Sequence, residues 1–295
     1  VVQAATDGAH ITKTISQIER KKGIKRTIQY RPDGNDFVCV NGKNRYTRAL
    51  YGGITDFRIE TSDRPVFAAY KPKDSKHICF RLQCGNQSIA LDSLKFCEAR
   101  YRAGRRTYRL TDPLLGKGEL NISVLAFPDA EGVIWRFTMK DMPEGALLHC
   151  YISEIRAKNL SRNGDMGADR ADSFDAPQLP KEQKHYKLSL DGTTAYIVVE
   201  DQELRLPALV EGTSLYDKSE KWRSEIESSL QISTPDPYFN PLGGALAAAA
   251  DGIWDGKIWL HGAIGWRSQL NGWRAAYIGD FIGWHDRART HFDSY

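Results

Sequence analysis

Glu119-Leu-Asn-Ile-Ser-Val-Leu-Ala126 and Val133-Ile-Trp-Arg-Phe-Thr-Met139 are the stretches on which the fold turns. Each is a short β-like run of residues that fit a pleated, half-buried surface. The same grammar extends both ways, through Asp36 to Val40, Ile54 to Glu60 and His77 to Gln83 upstream, and Leu147 to Arg156, Thr194 to Glu200 and Glu225 to Ile232 downstream. Turn residues punctuate the runs at Pro32-Asp33-Gly34, Asn41-Gly42 and Asp191-Gly192. No helical stripe interrupts the series between Thr27 and Ile232. Many short strands at this spacing predict a mainly β fold, a large antiparallel β-sandwich, and roughly 200 residues of it favour a two-sheet, supersandwich-like form over an immunoglobulin-sized module.

Outside that block the period changes. Ile11, Ile15, Ile18 and Lys22, stopped by Gly23, predict a short N-terminal helix. Near Pro235 a second change begins: Asn240 reads as a helix N-cap, Pro241 as the first helical residue, and a run of alanines carries the helix to Gly252. The predicted layout is a helical lead-in over 1–26, a sandwich over 27–234, and a linker with C-terminal helices over 235–295. Polar residues, Pro177 and Pro180 mark Ser161 to Lys184 as a surface excursion between two strands.

Lys plus Arg outnumber Asp plus Glu by 41 to 37, with the signs interspersed, so the charge of +4 calls for neither nucleic acid nor an anionic membrane. No run approaches the roughly 20 apolar residues that span a bilayer, and no membrane insertion is expected. Val1 to His10 lacks the basic-then-apolar plan of a signal peptide, and the abrupt start is what a chain with its leader removed before Val1 would show. Five cysteines form no C-x-x-C pair and read as small hydrophobes in strands; no metal and no cofactor is expected. Cys79 and Cys84 would point to opposite faces of one strand and could not pair. There is no Gly-rich phosphate loop, G-x-S-x-G or H-E-x-x-H.

Five of the seven tryptophans fall after Gly252. From Trp266, the residues Leu270, Trp273, Tyr277, Phe281, Trp284, Ala288, Phe292 and Tyr295 draw one apolar stripe at helical spacing. Gly265, Gly272, Ala276, Gly279 and Gly283 form a second line, as expected of a face pressed on another helix or a ligand. Asp280, Arg287 and His291 project within about 40° of Trp273, inside the stripe. Asp280 has no basic neighbour at contact spacing on that helix, so its expected partner lies elsewhere: a tertiary ion pair, the end of a neighbouring helix that it caps, or a substrate. The arginine-rich stretch Arg100 to Arg109 reads either as a solvated strand face or as forks for phosphate or an acidic sugar.

Three stretches, Asn41-Gly-Lys-Asn-Arg-Tyr-Thr-Arg-Ala-Leu-Tyr-Gly52, Asp112-Pro-Leu-Leu-Gly116 and the tail from Pro241 to His291, together resemble a large, uncharacterised glycosidase-like family of gram-negative polysaccharide-degrading bacteria. The tail is the most specific part, with Trp259-Leu-His-Gly-Ala263, Gly265-Trp-Arg267 and Gly272-Trp-Arg274. The resemblance implies a β-sandwich in front of an (α/α)6 six-hairpin barrel, a periplasmic or secreted location, and a glycoside hydrolase acting on complex polysaccharide. Twelve helices need on the order of 200 residues and about 55 follow Pro241, so most of that barrel is expected to be absent, leaving this portion inactive alone. Asp280 and Asp251 are the tail's candidate catalytic carboxylates; Trp259, His261, Trp266, Arg267, Trp273 and Arg274 are its candidate substrate-binding residues. The expected partners are carbohydrate, the remainder of the barrel, and a second copy through the C-terminal helices. A non-catalytic carbohydrate-binding or structural sandwich is the alternative.

Overall fold

The computed structural model describes residues 29–54, 56–158, 160, 170–260 and 276–294. The N-terminal helix expected over 1–26 lies outside them. Two antiparallel sheets make up the body. One has eight strands in the order β1 (Arg31–Asp33), β2 (Asp36–Val40), β8 (Phe96–Arg102), β9 (Arg105–Thr111), β10 (Glu119–Ala126), β11 (Gly132–Lys140), β14 (Thr194–Glu200) and β15 (Glu203–Arg205). The other has seven: β13 (Gln183–Ser189), β12 (Leu147–Glu154), β6 (Lys76–Cys84), β5 (Val66–Tyr70), β4 (Arg58–Thr61) and β3 (Arg48–Tyr51), with β7 (Gln87–Ala90) paired on β6. The mainly β sandwich is the fold the runs predict.

Period-two alternation builds the core. On β11, Val133, Trp135, Phe137 and Met139 face the opposite sheet, leaving Ile134, Arg136 and Thr138 on the outer face. Phe67 sits among Phe80, Tyr108 and Trp135, meeting each ring edge-on at 5.4 to 5.8 Å. Each such ring contributes roughly 1.5–3 kcal/mol by leaving water. Cys39, Cys97 and Cys150 are buried in strands, and all five cysteines are free. Burial raises the Cys97 thiol to about 12, so it stays an unreactive thiol.

Several expectations need correction. Glu225 to Ile232 is not a strand: it begins in the last turn of α1, a helix over Leu209–Ser228 that crosses the outer face of the eight-stranded sheet against β14, β11 and β10. Its buried positions are Gly212, Tyr216, Ser219 and Arg223, a face with the right spacing but little apolar character, so periodicity gives no signal. Strand β4 starts at Arg58 rather than Ile54, and β12 ends at Glu154.

The alanine helix exists as α2 (Leu242–Gly252), but Asn240 does not cap it. Its side-chain oxygen instead accepts from the Thr234 amide at 2.8 Å, closing the preceding turn. The tail is not one helix. Residues 276–281 are helical, then Gly283 takes φ +91°. The Trp284 amide donates to Gly279 (2.8 Å) and that of Gly283 to Asp280 (3.1 Å), the paired bonds of a Schellman stop. Helix α3 (His285–Phe292) starts afresh beyond it.

The stretch from Asn41 to Gly52 is a strap holding the sheets together. Asn41 accepts from the Cys97 amide, Arg45 pairs with Asp92 and Asp175, and Tyr46 donates to Asp175. Asp175 and the buried Phe174 belong to the excursion after β12, so its described part is anchored; Gln183 and Lys184 already lie in β13. A Cβ on Gly42 would meet the Asp63 side chain, and one on Gly52 the Phe127 carbonyl, which is why glycine stands at both places.

Candidate functional site

The outer face of the eight-stranded sheet is polar where α1 leaves it uncovered. A two-residue turn, Ala103-Gly104, both at positive φ, joins β8 to β9 and sets Arg100, Arg105 and Arg109 on that face. Strand register brings in the rest: Asn121 lies opposite Arg109, Ser123 opposite both Thr107 and Arg136, and Arg136 opposite Tyr196. Tyr216 closes one side from α1, its hydroxyl 2.6 Å from Ser123 Oγ. All of these but the buried Tyr196 line a groove of about 360 Å³, within the roughly 300–1,000 Å³ range of small-molecule sites.

Most cations at this groove are matched. Arg100 meets Glu98, Asp33 and Asp36; Arg105 meets Glu220 at 2.8 Å; Arg109 reaches Glu119 and Glu98 at 3.3 and 3.5 Å. Hydrogen bonds from Arg100, then burial against it, set the balance at Glu98, whose carboxyl falls below its usual range. Beyond the rim, Arg102 and Arg223 both bond Glu227, fastening the β8–β9 turn to α1. The solvated-face reading of Arg100 to Arg109 therefore gives way to a network of ion pairs.

The tail's candidates are dispersed. Asp251 is buried, and its carboxylate accepts from Arg287 at 2.7 Å. Desolvation raises its pKa above the ordinary value, and Arg287 opposes the rise. The Arg287 guanidinium stacks over Trp284 at 4.6 Å and Trp254 at 5.7 Å. Asp251 borders a cavity of about 60 Å³ between α1, α2, β3 and the β8–β9 turn, room for water rather than a sugar ring. Asp280, expected inside the aromatic stripe, is exposed and bonds His285 at 2.7 Å across the Gly283 break. Its stripe neighbours Tyr277 and Phe281 are exposed as well, so the stripe buries nothing at this point, and the helix that carries them ends at Gly283.

Trp259 is wholly enclosed. Its indole N–H donates to the Ala250 carbonyl at 2.9 Å, and its amide donates to His291 Nδ1 at 3.0 Å. Ala276 is buried in the same cluster, and Gly279 presses on the Trp259 ring so closely that no side chain would fit. The small-residue line is thus a packing face at these two positions, and Trp259 is a core residue rather than a sugar platform. His261, Trp266, Arg267, Trp273 and Arg274 lie outside the described residues.

A larger depression of about 760 Å³ lies between the β5–β6 turn and the segment after β12, lined mostly by loop residues including four lysines. Among the described residues no group of three or more His, Cys, Asp and Glu side chains is placed to hold a metal, and no helix is long and apolar enough to cross a membrane.

Residues 72–200 match the model of a family described as a domain of unknown function (DUF4450). That span runs from just before β6 to the end of β14 and so contains every strand of the groove floor. Compared with curated proteins, the chain has no match.

Proposed function

We propose that the chain is the sandwich portion of a polysaccharide-degrading glycoside hydrolase, that it binds carbohydrate rather than cleaving it, and that its tail braces a helical barrel. The observation that carries the reading is the groove on the eight-stranded sheet. Asn121, Ser123, Thr107 and Thr138 line its floor with hydroxyl and amide groups, flanked by arginines and the Tyr216 ring. Closely spaced donors and acceptors beside an aromatic suit a polyhydroxylated ligand.

Two features support the non-catalytic part. Glycoside hydrolysis needs two carboxyl groups roughly 5–9.5 Å apart around the scissile bond. Asp251 is turned into a small cavity against Arg287, whereas Asp280 faces solvent beside His285. The bracing role is supported by the apolar residues that 276–281 still exposes, Ile278 and Phe281, which suit further helices. A periplasmic or secreted location goes with this reading.

The test is affinity electrophoresis or calorimetry of the purified chain against a panel of plant, algal and host polysaccharides, with product analysis in parallel. Saturable binding without cleavage is the expected result. Turnover abolished by a substitution at Asp251 or Asp280 would overturn the non-catalytic assignment, and absence of binding to every glycan would overturn the groove.

A further inference from the structure

We infer that the groove takes a glycan carrying an anionic group, a carboxylate or sulfate on the sugar, and that Arg136 receives it. This rests on the carbohydrate reading above and names the class of sugar.

Arg136 stands apart from its neighbours. Arg100, Arg102, Arg105, Arg109 and Arg223 each have at least one carboxylate partner within 4.0 Å; Arg136 has none among the described residues. Its Nε is buried without a hydrogen-bond partner. A cation taken partly out of water with donors unused is costly unless a ligand supplies the acceptor. The residue is nevertheless held firmly: its guanidinium lies 3.9 Å from the Tyr216 ring centre, between Ser123 on β10 and Tyr196 on β14. Stacking fixes the plane of the fork before any ligand arrives, which suits in-plane, two-point recognition of an oxyanion.

The surroundings agree. Arg105 borders the same groove with its own Nε buried and unbonded, and Arg109 reaches its carboxylates only at 3.3 and 3.5 Å. The lining itself holds four arginines and one carboxylate, Glu98. The matching carboxylates of Glu119, Glu220, Asp33 and Asp36 belong to no part of it. Thr138, Asn121 and Ser123 then offer neutral groups to the hydroxyls of the same sugar.

The experiment measures binding of the full chain to four probes at low and high salt: oligogalacturonate, chondroitin sulfate oligosaccharide, carboxyl-reduced oligogalacturonate and a single-stranded oligonucleotide. Arg136→Gln and Arg136→Lys are compared with Lys187→Ala, which lies on the other sheet. Binding of one or both acidic glycans, weakened roughly 10- to 100-fold by Arg136→Gln and by added salt, is expected. Binding of the oligogalacturonate shows that a carboxylate suffices, whereas binding of the chondroitin sulfate alone shows that the sulfate is needed, since both carry carboxylates. Arg136→Lys keeps the charge and loses the fork, so it should retain only part of the affinity, and Lys187→Ala should retain all of it. A thermal melt shows that each variant is folded; should Arg136→Gln unfold, the Arg136→Lys comparison carries the test. Equal binding of the carboxyl-reduced glycan, or no loss in Arg136→Gln, overturns the acidic assignment while leaving carbohydrate binding intact. Equal binding of the oligonucleotide marks a general polyanion surface and overturns it too. Binding of no glycan defeats the underlying reading itself.

Discussion

Asp63, inside the sandwich, and Asp251, where helix meets sandwich, are both buried beside an arginine, yet they are held in different ways. Asp63 accepts from the Tyr30 hydroxyl, the Asn44 amide at 2.9 Å and the Thr47 hydroxyl at 3.2 Å, with Arg106 3.8 Å away. Arg106 in turn donates to Tyr30 and to the Ser62 carbonyl. Among the described residues Asp251 has one side-chain partner, Arg287, itself about a third exposed. A buried charge with several partners survives the weakening of any one; a charge with a single partner is exposed to whatever disturbs that partner. The sandwich is therefore over-determined at its polar core, whereas the ion pair between α2 and α3 rests on one arginine that one substitution can remove.

The largest effect should come from the over-determined site. Asp63→Ala removes the one carboxylate within 4.0 Å of wholly buried Arg106 among the described residues, leaving that charge uncompensated, and is expected to lower stability by about 3–5 kcal/mol in a denaturant melt. A loss under about 1 kcal/mol would show that the hydroxyls and carbonyls around Arg106 suffice without the carboxylate.

Arg287→Ala sharpens the contrast. It strands Asp251 and removes the stack on Trp284, but water reaches this site, so about 1–2 kcal/mol at neutral pH is expected. The pH dependence has a definite sign. Asp251 binds its proton more readily in the folded chain than its ordinary value of 3.8, so its contribution is most favourable in acid and declines as pH rises through the folded value. Losing Arg287 raises that value further, so the deficit of the variant should be full at neutral pH and shrink towards about pH 4. Unfolding free energies at a series of pH values check this, and a deficit independent of pH would show that the stacking, rather than the charge, is what matters.

The same contrast governs what the sequence discloses. β10, β11 and β14 are legible because branched and aromatic residues alternate across two faces. Helix α1 is not, because Gly212, Ser219 and Arg223 dock it through close approach and ion pairs. Arg136 sits in an otherwise apolar run, and only strand register sets it beside Ser123 and beneath Tyr216. Arg100 to Arg109 announces itself by composition, but two of its matching carboxylates, Glu220 and Glu227, lie over a hundred positions away on α1. Asp280 and Asp251 stand out as carboxylates among aromatics, whereas their partners depend on where the tail turns.

Gly283 is where it turns, and Gly283→Ala should cost about 1–2 kcal/mol, since a side chain at φ +91° is strained although nothing lies within 4 Å of its Cβ. A melt of the variant alongside Gly256→Ala, another open glycine at positive φ, provides the scale. A neutral Gly283→Ala would mean that 276–281 and α3 run on as the single helix the stripe suggests.

Asp280→Asn should have the smallest effect, and its smallness is informative. If Asp280 stood inside an apolar stripe, neutralising it would relieve a buried charge and stabilise the chain; if it formed a tertiary ion pair, the loss would be clear at neutral pH. Here the carboxylate is 61% exposed and its partner His285 is 67% exposed. An ion pair in water, between side chains free to move, contributes little. The expected change is within about 0.5 kcal/mol in either direction, reduced further by salt. The amide oxygen of asparagine can still accept from His285 Nδ1, so even the hydrogen bond need not be lost. A shift of several kcal/mol would mean that Asp280 is enclosed rather than exposed, and that its contact with His285 is more than a surface pair.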